Sequence, residues 1–190
     1  MRRSPERPER GTMEPVGGSE RLREVMGRFV TGVTVVTAVD AGTPVGFTCQ
    51  SFVSLSLDPP LVAVAPAKSS TSWPRMAAAG AFCVNILARG QEEIGRSFAR
   101  SGADKFAGVA WHPGRLGAPV LAGVLAWVQC ELELVHDAGD HELVVGRVVE
   151  LAAGDGEPLA YYRGSFVELG GTVELAQRGT PGREDPLAAR

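Results

Sequence analysis

The strongest constraint on this chain is a succession of β-forming runs with only short helical stretches between them. Val33-Thr34-Val35-Val36-Thr37-Ala38-Val39 is rich in β-branched residues and stops at a turn, Asp40-Ala41-Gly42. Extended segments are predicted again over 44–50 and 60–66, and a buried strand over 81–87. Two long strands, 124–136 and 141–151, flank Asp137-Ala138-Gly139-Asp140, and a last strand is predicted over 161–169. Helical signals are fewer. Ser19 is a candidate cap for a first helix, whose Leu22, Val25, Met26 and Phe29 fall on one apolar face. Pro74 and Gly80 bracket a short second helix, and Gln91, Ile94 and Phe98 mark a third. Many strands with about three interspersed helices point to a mostly β chain. The expected architecture is a closed or partly closed barrel, with the first helix packed on it, rather than a doubly wound parallel sheet.

At 190 residues, 44% of them hydrophobic, the chain has the size of one domain with a core. Residues 1–18 and 171–190 are rich in Arg, Glu, Pro or Gly and are expected to be flexible tails around a folded body at 19–170. A net charge of -3 offers no basic field for nucleic acid or an anionic membrane. No apolar run is long enough for a membrane span, and the basic N-terminal stretch lacks the apolar centre of a signal peptide. Cys49, Cys83 and Cys130 are scattered, with no C-x-x-C pair, so they read as buried apolar thiols in a reducing cytoplasm. His136, Asp137, Asp140 and His141 match no standard ligand spacing, and no metal is expected.

Three stretches can carry chemistry. Lys68-Ser69-Ser70-Thr71-Ser72 lies between a strand and a helix; it reads either as a phosphate-holding loop or as a capping loop that only starts the helix. If the stretch from Gly46 to Leu61 is extended, Thr48, Gln50, Ser54 and Ser56 share a face, because side chains alternate. Such a face can meet the polar edge of a planar heterocycle, or it can be a half-exposed strand ended by Pro59-Pro60. Gly139-Asp140-His141 sets a histidine at a hairpin mouth, as a ligand contact or as a solvated turn. There is no G-x-G-x-x-G, no P-loop and no G-x-S-x-G elbow, so a nicotinamide dinucleotide, if used, binds without the usual dinucleotide fold.

At these residues the chain resembles the short-chain flavin reductases that serve two-component flavin-dependent monooxygenases. The resemblance runs from Arg28-Phe29-Val30-Thr31-Gly32-Val33 through Gly46-Phe47-Thr48 and Ser51-Phe52-Val53-Ser54-Leu55-Ser56-Leu57-Asp58-Pro59-Pro60-Leu61. It continues through Lys68-Ser69-Ser70-Thr71, Phe82-Cys83-Val84-Asn85-Ile86-Leu87, Asp104-Lys105-Phe106, Gly139-Asp140-His141 and Tyr162-Arg163-Gly164. It implies a split β-barrel that forms a homodimer. It also implies an enzyme that reduces dissociable FAD or FMN with NADH, in preference to NADPH, and hands the reduced flavin to a separate monooxygenase. A non-enzymatic flavin carrier or sensor, or an oxidase on the same barrel, is the alternative. The family usually has Ala-Asn where this chain has Cys49-Gln50, which tilts the expected flavin slightly toward FAD. The implied roles place Thr48, Cys49, Gln50 and Ser51 along the flavin, and Lys68, Ser69, Ser70 and Thr71 at its phosphate. Lys105 and Phe106 would approach from another segment, and His141 would face the nicotinamide. No catalytic acid or base is assigned, because hydride transfer between stacked rings needs position rather than proton relay. With the hydroxyl loop taken as a separate segment, His141 is expected to have little influence on the flavin.

Overall fold

The computed structural model describes residues 18–102 and 104–167. The tails expected at 1–18 and 171–190 therefore lie outside the described residues, except for Gly18, which opens the first helix. In chain order the elements are α1 (Gly18–Met26), β1 (Thr31–Gly32), β2 (Thr34–Asp40), β3 (Thr43–Cys49), β4 (Val53–Leu57), β5 (Pro60–Val64), α2 (Trp73–Ala79) and β6 (Ala81–Ile86). Then come α3 (Glu92–Ala99), β7 (Trp111–Pro113), β8 (Pro119–Leu121), β9 (Ala126–Ala138), β10 (His141–Ala153), β11 (Ala160–Tyr162) and β12 (Ser165–Val167).

The main sheet has seven strands in the order β3-β2-β6-β9-β10-β5-β4. Its two edges, β3 and β4, are consecutive in the chain and joined only by Gln50-Ser51-Phe52. Four Cα steps reach at most about 14 Å. A flat sheet of seven strands would hold its edges farther apart than that, with neighbours spaced roughly 4.8 Å. The sheet must therefore curl until its edges nearly meet, and the result is a barrel left open along one seam. The antiparallel pair β9–β10 forms its long side and bends at register shifts beside Val145/Gly146 and Val148/Glu150. Gly146 is needed there: an added Cβ would lie 2.5 Å from the Phe82 ring and 2.9 Å from Cys130.

Strand β2 is buried on both faces, which its run of β-branched residues already suggests. Val36 and Ala38 point into one core with Phe47, Val64, Phe82, Val84 and Cys130, closed at one end by Trp73 and Met76 of α2. Val33 and Val35 point into a second core with Leu87, Phe98 and Leu121. Burial pushes the Cys83 and Cys130 thiols up to about 12, so both are neutral filling, Cys130 in the first core and Cys83 in a small third cluster with Ala118 and Val120.

Three differences from the sequence reading have local causes. The expected final strand over 161–169 is instead a hairpin, β11–β12, turned at Arg163 (φ 49°) and Gly164 (φ 82°), and residues 168 and 169 lie outside the described residues. The short pair β7–β8 is too brief to leave a periodic signature. Helix α1 does not bury its apolar face on the barrel. Leu22, Val25, Met26 and Phe29 are 49–70% exposed, and the following Gly27 carbonyl accepts a hydrogen bond from the Arg163 N–H at 2.9 Å.

Candidate functional site

The seam opens into a cleft of about 520 Å³. Phe47, Thr48, Cys49, Gln50 and Ser51 form one wall, and Ala65, Pro66, Ala67, Ser69, Ser70 and Thr71 form the other. Phe98, Ala99, Ser101 and Lys105 come from α3 and the loop after it, and His141 comes from the β9–β10 turn. Among the described residues, no carboxylate lines it.

Each wall is held by side-chain hydrogen bonds that the strand ladder cannot supply. The Thr34 hydroxyl donates to the Cys49 carbonyl at 2.7 Å, and the Thr48 hydroxyl donates to the Gly95 carbonyl at 2.6 Å, tying β3 to α3. Across the seam, Ser51 Oγ accepts the Ala65 N–H at 2.9 Å and donates to the Ala65 carbonyl at 3.2 Å. Cys49 Sγ lies 3.1 Å from the same oxygen, which leaves the thiol as the donor of that contact. Ser51 is thus the stitch between the two halves of the split.

The hydroxyl loop is a turn. The Ser70 N–H donates to the Ala67 carbonyl at 2.9 Å, and Ser70 Oγ accepts the Trp73 N–H at 3.2 Å. This is the capping role the sequence allowed, and it leaves the Ser70 hydroxyl proton unspent among the described residues. Ser69 and Thr71 also line the cleft, and their hydroxyls have no partner among the described residues. The loop and the His141 turn are not separate. Ala67 bridges to His141, the Lys68 N–H donates to the Asp140 carbonyl at 3.0 Å, and the Glu142 N–H donates to the Pro66 carbonyl at 3.0 Å. The His141 ring is fixed by Nδ1 at 2.7 Å from an Asp140 carboxylate oxygen, and that bond holds the Asp140 carboxyl below its usual range. The two segments are thus joined through the backbone, while the His141 side chain lines the same cleft as the loop.

The two lysines part company. Lys68 turns out of the cleft: its ammonium pairs with Asp137, whose carboxyl is lowered chiefly by that bond, and its side chain lines a smaller hollow with Trp73 and Glu142. Lys105 is the cation of the cleft. Its ammonium donates to the Gly46 carbonyl at 3.0 Å, the Phe98 carbonyl at 3.1 Å and the Ser72 hydroxyl at 3.2 Å, and burial holds its pKa below the ordinary value. It latches the loop after α3 onto β3 and brings a half-buried positive charge to the cleft. Phe106 lies behind it, edge-on to Phe98 at 4.9 Å, and lines an adjoining hollow with Arg75 rather than the cleft itself.

Of the residues singled out in the sequence, the fold thus gathers Thr48, Cys49, Gln50, Ser51, Ser69, Ser70, Thr71, Lys105 and His141 around one space, and it sets Lys68 and Phe106 beside it. Ala65-Pro66-Ala67 and Ser101 were not singled out. They join the lining through strand order and the latch, and neither carries a local motif.

Residues 26–170 match the family model described as flavin reductase like domain. The chain is 49% identical over 150 residues to the flavin-dependent monooxygenase reductase subunit HsaB of Rhodococcus jostii, an alignment covering 78% of this chain and 77% of that protein. Among solved structures it resembles nitrilotriacetate monooxygenase component B from Mycobacterium thermoresistibile, with TM-score 0.78 and 42% identity over 90% of this chain and 94% of that one. It also resembles the NADH:FAD oxidoreductase SgcE6 of Streptomyces globisporus, crystallised with NAD and FAD fragments, with TM-score 0.78 and 35% identity over 84% and 97% of the two chains. The matched region contains the whole seam, its hydroxyl loop and its lysine latch, and this chain belongs to the flavin reductase like domain family.

Proposed function

We propose that the chain is an NAD(P)H-dependent flavin reductase that reduces dissociable FAD or FMN and supplies the product to a separate monooxygenase. The observation that carries this reading is the seam cleft. Its volume suits a flavin with part of a second ring system, within the usual range of roughly 300–1,000 Å³ for ligand pockets. Strand β3 is a sheet edge, so its outward backbone groups have no strand partner and can meet the polar edge of the isoalloxazine. Ser69, Ser70 and Thr71 offer hydroxyls to a phosphate, the Lys105 charge favours it, and no carboxylate among the described residues lines the cleft to repel it. Bound flavin supplies the hydride acceptor and the nicotinamide the hydride. The chain's part is to fix the flavin against β3, hold His141 at the mouth where the nicotinamide stacks, and keep water out of the gap. NADH is the expected reductant, and FAD is slightly favoured over FMN because Gln50 departs from the usual residue beside the ring.

The test is steady-state NADH oxidation by flavin-free protein with FAD, FMN or riboflavin. Turnover is expected with all three. Riboflavin, which has no phosphate, is expected to need a concentration roughly tenfold higher, as fits the loss of a charged hydrogen bond. Flavin that survives dialysis, with no NADH oxidised, would make the protein a carrier instead.

The proposed assembly is a two-fold homodimer. Helix α1 buries none of its side chains, and strand β4 exposes Val53, Leu55 and Leu57 along a free sheet edge. A second copy covering these faces would bury upwards of about 2,000 Å². Light scattering at micromolar concentration is expected to give twice the chain mass, and a monomer would refute the dimer.

A further inference from the structure

His141 stands at the turn end of the long β9–β10 pair, where little core lies beneath it. Leu134, Val135 and Leu143 near it are exposed, and so are the side chains of Asp137 and Asp140. A hairpin end with few buried apolar contacts keeps its place only through polar ties. Within the turn, Asp140 sets the orientation of the imidazole through Nδ1 at 2.7 Å. What remains to be fixed is where the turn as a whole sits. Its backbone contacts, to Pro66, Ala67 and Lys68, all lead to the hydroxyl loop, which is itself part of the cleft wall.

Two side-chain hydrogen bonds tie the turn to other segments. The Lys68–Asp137 pair is 39% and 79% exposed, and exposed pairs hold little. The other bond is different in kind. Side chains alternate along β10, so Glu142 points away from the cleft that His141 lines, into the small hollow it shares with Lys68, Trp73, Pro74 and Ala77. There its carboxylate accepts a hydrogen bond from the Trp73 indole N–H. Trp73 is 3% exposed and belongs to the first core, so this bond anchors the turn to a part of the molecule that does not move with the loop. A buried indole N–H needs an acceptor, and a neutral carbonyl would satisfy it. Here the acceptor is a carboxylate 69 residues away, and the bond is of the stronger, charge-assisted kind. It also belongs to the residue that follows His141. We propose that Glu142 is a positioning residue: clamped by Trp73, it fixes the start of β10 and thereby the place of the His141 ring at the mouth where the nicotinamide stacks. The proposal rests on the reductase reading above.

The test measures the Michaelis constant of NADH and turnover at saturating FMN for the wild type, H141A, E142A, E142Q and W73F, and for E142A and W73F combined with H141A. E142A and W73F remove the bond from its two sides, and each is expected to raise the Michaelis constant about five- to tenfold, with a smaller change in turnover. E142Q keeps an oxygen for the indole N–H and is expected to stay within about twofold of the wild type. In H141A the constant is already raised, and E142A raises it no further, because the ring on which the clamp acts is gone. An unchanged constant in E142A or W73F, a loss in E142Q equal to that in E142A, or an E142A effect as large in H141A as in the wild type overturns the proposal. So does a rise confined to the FMN dissociation constant, read by flavin fluorescence, since Glu142 would then brace the hydroxyl loop alone. Phenylalanine fills most of the indole's site, so if E142A folds poorly the comparison stands on W73F and H141A/W73F. Failure of the reductase reading itself would show separately, as absence of NADH oxidation by the wild type with any flavin.

Discussion

Asn85→Ala is expected to destabilise the fold by on the order of 3–4 kcal/mol and to lower the melting temperature by roughly 10 °C. Asn85 is fully buried in β6. Its amide nitrogen donates to the Val35 carbonyl and the Thr37 hydroxyl, each at 3.1 Å, and to the Pro119 carbonyl at 3.3 Å. Its carbonyl oxygen accepts the Leu121 N–H at 2.8 Å. One side chain thus joins β2, β6 and β8, and it supplies the acceptor for the buried Leu121 N–H. Removing it leaves the Leu121 N–H buried without an acceptor and opens a cavity, and both costs fall in the same place. Thermal and urea melts of the variant check this. A loss below about 1 kcal/mol would mean that the site relaxes or admits water at little cost. Leu121 packs beside Phe98 in the core under α3, so this polar knot also supports the wall that carries the cleft.

Lys105→Met is expected to raise the dissociation constants of FMN and FAD by about tenfold or more and to leave riboflavin nearly unaffected, since only the first two carry phosphate. The side chain has two jobs. Its three hydrogen bonds pin the loop after α3 to Gly46, Phe98 and Ser72, and its charge faces the cleft. Methionine keeps most of the volume and removes both. The pH dependence separates them from a packing effect. Burial sets the folded pKa of Lys105 below the ordinary 10.5 of a lysine, so the ammonium is lost earlier than in the unfolded chain as pH rises. Affinity for phosphate-bearing flavins should therefore fall as pH climbs through that lowered pKa, and this alkaline limb should vanish in the variant. Stability moves the other way. Between the folded pKa and 10.5 the unfolded state binds more protons at this group, so its contribution to stability rises with pH. Flavin titrations and melts across the alkaline range test both signs. A variant that loses riboflavin and FMN affinity equally would reduce Lys105 to a structural latch.

The order of strands, the long β9–β10 pair and the three short helices are written locally, in β-branched runs, turn residues and apolar spacing, and so are the hydroxyl loop and the Gly-Asp-His turn. Family resemblance drew those pieces into one function before any of them could be seen to touch. What the sequence could not supply was distance between residues far apart in the chain. Lys68 belongs to the same hydroxyl string as Ser69 and Ser70, yet Asp137, 69 residues later, draws it out of the cleft. Lys105, with no hydroxyls around it in sequence, becomes the cation of the cleft because three acceptors from β3, α3 and the start of α2 converge on it. The apolar stripe of α1 is plain at helical spacing, but periodicity says only that a face is apolar, not which surface covers it. By itself the sequence determined where the longer strands, the helices and the polar loops fall, because those follow from side-chain shape and spacing over several residues, whereas the brief β7–β8 pair and the β11–β12 hairpin were too short to read. Only the tertiary structure decided that β3 and β4 are the two edges of one curled sheet. A three-residue link between them forces the seam, and the seam brings residues 47–51, 65–67 and 69–71 with Phe98, Ala99, Ser101, Lys105 and His141 around a single space.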